Sequence, residues 1–205
     1  MRTLAIDSAT EACSAALFED GELLAGACET IGRGHAERLV PMIAELPGKG
    51  QAERIVVSLG PGSFTGVRIG LAAARALALA WRAEIFGYPT LAFVAAIARA
   101  GEAKPVSVVM TGGHGEWFVQ DFGADGLPQA ELASLAPDAA SAAARHELVA
   151  GNQAEALVAR RGGGSALPLL PDARRFPLLP EGLLTPALTP LYGRPPDAKL
   201  SGASR

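Results

Sequence analysis

The chain has 205 residues, 49% of them apolar and 19% charged, which is enough apolar material for a packed core and excludes a disordered chain. Eighteen basic residues against 21 acidic ones give a formal net charge of −3, so no overall basic field exists to grip nucleic acid unaided. No run approaches the eighteen or more apolar residues of a membrane span, and residues 1 to 7 lack the regions of a signal peptide, so the expectation is a cytoplasmic protein without a membrane partner.

Residues 2 to 31 read as an antiparallel meander of three strands over 3–6, 13–18 and 23–29, with Asp20-Gly21 at the tip of the second turn. That hairpin predicts a register in which Cys13 and Cys28 face each other. The two cysteines are too few for a disulfide framework or a four-cysteine zinc site; they read as core-filling residues or as a redox pair. A first helix follows over 35–46, with Leu39, Val40, Ile43 and Leu46 at helical spacing and Pro47-Gly48 as its stop. A β-branched run over 54–59 flows into Gly60-Pro61-Gly62-Ser63-Phe64-Thr65-Gly66, and an alanine-rich helix runs on to Trp81. A strand over 84–87 and a helix over 91–99 complete a β-β-β-α-β-α-β-α domain covering 1–102. Residues 103–205 read as a smaller α/β domain, with strands over 106–110 and 117–122, helices over 139–145 and 154–161, and an irregular Pro/Gly-rich tail from Gly162.

A glycine-rich turn between strand and helix offers backbone N–H groups and the positive end of a helix dipole to an anion. Gly60, Gly62, Ser63 and Gly66, with the polar turn Asp7, Ser8 and Thr10, are therefore the candidate nucleotide or phosphate residues; the alternative is that the glycines make a tight turn and let the helix pack close. The loop has no lysine after its glycines, so it is not a P-loop, and Gly60-x-Gly62-x-x-x-Gly66 misses the dinucleotide fingerprint by one residue. Ser63 has Pro61 and Thr65 where a nucleophile elbow needs glycines. His35 opens the first helix, but Leu39 and Val40 stand where a metal-binding helix repeats its ligand, while His114 and His146 show no ligand spacing. The sequence assigns no catalytic residue and no metal site.

The helix ending at Trp81 carries Val67, Leu71, Ala74, Ala78 and Trp81 on one face and Ile69, Ala73, Ala76 and Ala80 on another, separated by a stripe of Arg68, Arg75 and Arg82. A helix apolar nearly all round must bury more than one side. The sequence predicts a partner interface of Ile69, Ala73, Ala76 and Ala80, joined by Leu39, Met42, Ile43 and Leu46 of the first helix; the alternative is that the smaller domain covers this face.

Three stretches carry a family resemblance. These are Asp7-Ser8-Ala9-Thr10-Glu11-Ala12-Cys13-Ser14, Gly32-Arg33-Gly34-His35-Ala36-Glu37-Arg38-Leu39 and Gly60-Pro61-Gly62-Ser63-Phe64-Thr65-Gly66-Val67-Arg68-Ile69-Gly70. They closely resemble the TsaB, or YeaZ, family of tRNA threonylcarbamoyladenosine biosynthesis proteins, and Pro190-Leu191-Tyr192-Gly193-Arg194-Pro195-Pro196-Asp197-Ala198-Lys199 is similar to its C-terminus. The resemblance implies an α/β fold of the actin/Hsp70-like ATPase type (ASKHA, ribonuclease H-like), with two related domains, the second reduced. It also implies a subunit that is not an enzyme alone: a shortened paralogue of the catalytic TsaD, docking to it through the first two helices, with the ATPase TsaE as a further partner and tRNA met through the complex. The same surface is implied to make a homodimer in isolation. No cofactor is assigned firmly; ATP or ADP would sit in the cleft or at the complex interface. Where family members often carry Asp and Arg at the strand entering the second domain, this chain has Met110-Thr111-Gly112-Gly113-His114-Gly115. The competing readings are an independent phosphotransferase of the same fold, a glycoprotease-like hydrolase, and a nucleotide sensor.

Overall fold

The alternating apolar residues of the first thirty positions build β1 (Arg2–Asp7), β2 (Ala12–Glu19) and β3 (Glu22–Thr30), paired antiparallel in that order. The computed structural model describes residues 1–193, so Arg194 to Lys199 of the C-terminal motif lie outside the described residues. In β3 a bulge inserts Leu24: Phe18 pairs with Leu23 but Leu17 with Ala25. The expected register is thereby corrected by one residue. Cys28 stands opposite Ser14 and Cys13 opposite Glu29, so the two thiols leave the strand pair on opposite faces. Both are free, and burial pushes each up to about 11.

After the meander come α1 (His35–Ala44), a 3₁₀ turn over Pro47–Gly50, β4 (Arg54–Ser58), α2 (Phe64–Trp81), β5 (Glu84–Tyr88) and α3 (Thr90–Ala98). β4 runs parallel to β1 and β5 parallel to β4, giving the order β3-β2-β1-β4-β5. The second half repeats the plan in miniature with β6 (Val106–Thr111), β7 (Trp117–Phe122), β8 (Ala133–Leu135), α4 (Pro137–Ala143), β9 (Leu148–Ala150), α5 (Ala154–Arg161) and β10 (Ser165–Leu167). Its order, β10-β9-β6-β7-β8, is again a meander followed by two parallel strands, but β8, β9 and β10 have only three residues each. Two related mixed sheets, the second reduced, make this the actin/Hsp70-like, ribonuclease H-like fold.

Two packing facts correct the sequence reading of the helices. Leu39, Met42, Ile43 and Leu46 are at most 6% exposed: the first three form the inner face of α1, Leu46 follows just past its end, and all four join Leu4, Ile6, Leu17, Ile55 and Val57 in the chain's own core. A partner cannot reach them. What α1 turns outward is Ala36, Val40, Pro41 and Ala44. The helix buried on every side is α3, not α2. Residues 90 to 96 are all buried, because the uniformly apolar Leu91-Ala92-Phe93-Val94-Ala95-Ala96 lies at the joint and packs toward β6, β7 and β9.

Beyond β10 the chain leaves the second sheet and returns to the first. A 3₁₀ helix over Ala173–Leu178 lies across β2 and β3, with Phe176 6.1 Å from Phe18 and 6.3 Å from Tyr88, centroid to centroid. Gly87 and Thr185 then exchange two backbone hydrogen bonds of 2.8 and 3.0 Å at the β5 edge.

Candidate functional site: an interlobe cleft beside an exposed helix face

The repeated plan sets equivalent turns against each other. The turn after β1 and the loop before α2 come from one lobe; the turn after β6 and the turn before α5 come from the other. Between them lies a cavity of about 760 Å³ lined by Thr10, Glu11, Gly62, Ser63, Phe64, Val67, Arg68, Met110, Thr111, Gly112, Gly113, His114, Phe118, Ser134 and Asn152, with Leu191, Tyr192 and Gly193 along one wall. Asn152 ties the lobes: its amide donates to both Glu11 carboxylate oxygens at 2.9 and 3.1 Å, and its oxygen accepts the Thr111 N–H at 2.8 Å.

Of the seven candidate nucleotide residues, three reach this cavity: Thr10, Gly62 and Ser63. These are the ones that a nucleotide in the cleft would meet. Asp7, Ser8, Gly60 and Gly66 are engaged elsewhere. The Ser8 hydroxyl donates to the Gly66 carbonyl at 2.9 Å, the Ser63 N–H donates to the Ala9 carbonyl at 2.6 Å, and the Ser63 hydroxyl caps α2 by accepting the Gly66 N–H at 3.2 Å. The Gly60 N–H points to the Ser58 hydroxyl at 3.3 Å. With the Gly60, Ser63 and Gly66 amides used within the chain, the loop seats α2 on the turn after β1.

The glycines answer to that seating. A Cβ on Gly62 would strike the Ala9 carbonyl, and one on Gly66 the Ser8 carbonyl. Both obstacles are backbone, which cannot step aside. Gly62→Ala is therefore expected to destabilise the fold by about 1–3 kcal/mol, whereas Gly113→Ala, in open space on the far wall, should change it by less than about 0.5 kcal/mol. Urea unfolding midpoints of the two variants check this.

Asp7 is wholly buried. Its carboxylate accepts the Ala9 N–H at 3.0 Å and the Tyr88 hydroxyl at 3.0 Å, and the same hydroxyl lies 3.0 Å from the Ile6 carbonyl. Burial outweighs these bonds and raises its pKa to about 6; burial likewise carries Tyr88 well above the usual phenol range, with Asp7 adding to it. Both oxygens of Asp7 are thus engaged within the first lobe. His35, 6% exposed, sits 3.3 Å from the Ala12 carbonyl and ties α1 to β2. His146 meets the Gln129 side chain at 3.0 Å.

Outside the cleft, α2 buries Val67, Gly70, Leu71, Ala74 and Ala78 and leaves Ala72, Ala76, Leu79 and Ala80 exposed, with Ile69 and Ala73 half-buried. Leu79, which the interface prediction omitted, is the most exposed large apolar residue on this face, at 83%. Val40 on the neighbouring α1 is 54% exposed. By length and composition α2 could cross a membrane, although the core helix of a soluble protein passes the same test. A third of it is buried against the sheet.

A family model described as TsaD, tRNA N6-adenosine threonylcarbamoyltransferase, matches residues 28–188. The chain belongs to this family. Within it, the sequence is similar to the tRNA threonylcarbamoyladenosine biosynthesis protein TsaB of Escherichia coli K12, 46% identical over 96 residues, which are 44% of this chain and 41% of that protein. TsaB of Haemophilus influenzae is 44% identical over 80 residues, 37% of this chain and 34% of that protein. Both alignments thus span less than half of the curated relatives' length. The fold extends further: YeaZ from Pseudomonas aeruginosa superimposes with a TM-score of 0.77 at 26% identity, covering 93% of this chain and 99% of that one. The TsaB/YeaZ motifs at Asp7, Gly34-His35 and Gly60 to Gly70 therefore mark the branch of the family to which this chain is similar.

Proposed function

We propose that this chain is a non-catalytic, cytoplasmic partner subunit in tRNA N6-threonylcarbamoyladenosine synthesis. It docks a catalytic TsaD relative through the outer faces of α1 and α2, with TsaE joining the assembly and tRNA reached through the complex. The observation that carries this reading is the apolar surface of Val40, Pro41, Ala76, Leu79 and Ala80, left open beside a core that is already complete. Small residues at its centre let another helix approach closely, and the large side chains at its edges provide anchors. A second copy of the chain fits the same face when the catalytic relative is missing.

Support for the non-catalytic part comes from the cleft. Ser63 caps a helix, Asp7 is sealed from the cavity, and Glu11 is held by Asn152, so none of these stands as a nucleophile with a base beside it. The test is reconstitution with purified components, ATP, threonylcarbamoyl adenylate as the donor of the group, and unmodified tRNA. Chain alone should give no threonylcarbamoylated adenosine, the catalytic relative with TsaE alone little, and the full set the modified base. Modification by this chain without the catalytic relative would refute the reading.

A further inference from the structure

The stripe of arginines on α2 holds the chain's own C-terminal segment. Arg75 Nη2 donates to the Leu188 carbonyl at 2.8 Å, and Arg68 Nη2 donates to the Tyr192 hydroxyl at 3.2 Å. Arg68 also lies over the Phe64 ring at 3.5 Å, and that ring is 5.7 Å from Tyr192. Residues 188 to 193 therefore run antiparallel along the flank of α2 and end in the cleft, where Leu191, Tyr192 and Gly193 form a wall. Gly193 is what permits the final approach, since a Cβ there would come within 2.5 Å of Phe118 on the opposite lobe.

The two ends of this segment are held very differently. At Thr185 the Gly87 bridge fixes the backbone through two hydrogen bonds. Beyond it, Pro186 and Pro190 have no N–H to give, and the backbone is tied to the first lobe by the Leu191 N–H on the Leu59 carbonyl at 2.8 Å together with the Arg75 bond. The aromatic pin is half open to solvent, with Phe64 56% and Tyr192 46% exposed. Leu188 packs against the core of the first lobe, whereas Leu191 and Tyr192 beyond it are exposed, and a stretch whose side chains are mostly in solvent opens at a small fraction of the global unfolding free energy.

We propose that residues 188–193 are a strap that gates the interlobe cleft, with the Gly87–Thr185 bridge as its fixed end and Arg68 and Arg75 as its latches. Lifting it removes one wall of the cavity and uncovers Val67, Met110 and Phe118 from that side. The latches lie on the same helix as Ala72 and Leu79, so whatever docks on α2 sits beside them, yet the gate itself does not depend on the partner reading.

The test uses the full chain carrying Arg68→Ala with Arg75→Ala. Both arginines are exposed, so the fold is expected to survive. Hydrogen exchange should accelerate about tenfold or more at the Leu191 amide and stay unchanged at the Thr185 amide. Anilinonaphthalene sulfonate, an aromatic anion that fluoresces in apolar cavities, should bind the double variant several-fold more tightly. Adding Gly113→Trp, which places a ring in the cleft from an open position, should remove that gain. Equal acceleration at Leu191 and Thr185, unchanged exchange at Leu191, or a dye signal that persists with Gly113→Trp would each overturn the gate.

Discussion

Leu79→Glu is expected to abolish capture of the catalytic relative while leaving the melting temperature of the isolated chain within a degree or two. Leu39→Glu is expected to do the reverse of a clean interface variant and unfold the chain. The difference follows from where each leucine sits. Leu79 is 83% exposed and loses no intramolecular packing on replacement. Bound, it would bury a side chain contributing about 1.5–3 kcal/mol, and a carboxylate in its place would be desolvated without a partner, so affinity should fall by about 100-fold or more. Ala76→Glu, at the centre of the same face, should behave likewise by blocking close approach of helices. Leu39 is fully buried among Leu4, Ile6 and Leu17, where an unpaired carboxylate and lost packing together cost about 4 kcal/mol or more, much of the stability of a domain this size. Titration calorimetry against the catalytic relative, paired with thermal melts, separates the two. Undiminished binding by both Leu79→Glu and Ala76→Glu would place the docking surface elsewhere.

That contrast shows how much of the site could be read from the sequence. Periodicity located α1 and α2 within a few residues and marked α2 as apolar on two faces, but it cannot say which apolar face of a helix meets its own sheet. On α1 only one strong stripe exists, Leu39, Met42 and Ile43, and a lone stripe belongs to the core; the weaker outer set of Ala36, Val40, Pro41 and Ala44 carries the exposed surface. Leu79 went unseen because spacing alone does not show which apolar positions of an alanine-rich helix the folded chain leaves uncovered. The β1–β2–β3 meander was legible from alternation, whereas the bulge at Leu24 was not, since Leu23-Leu24 breaks the pattern without a glycine to mark it. Strands β8, β9 and β10 are too short for period-two alternation to show. The tail lacked periodicity altogether. Its signal was the partner it binds, the arginine stripe at seven-residue spacing, which reads as a solvated edge until Leu188 and Tyr192 are seen against it.

The end of β1 also leaves a measurable trace in stability, through the buried Asp7. Its pKa in the folded chain is raised from 3.8 to about 6, chiefly by burial. Folding therefore favours the protonated carboxyl: the stability associated with it is fully present below pH 4 and is lost as pH rises through about 6. A shift of about two units corresponds to about 3 kcal/mol, so above pH 7 the native state carries a buried charge at about that cost. Asp7→Asn keeps the shape and should relieve it. The asparagine oxygen can still accept the Ala9 N–H, its amide can donate to the Tyr88 hydroxyl oxygen, and the Tyr88 proton can turn to the Ile6 carbonyl 3.0 Å away. Compared by urea unfolding, the two proteins should be of similar stability at pH 4, diverge between pH 4 and 6, and differ by about 2–3 kcal/mol at pH 7.5 in favour of the variant. A parallel pair of pH profiles, or a variant less stable at neutral pH, would mean that the Tyr88 and Ala9 bonds to the ionised carboxylate outweigh its burial.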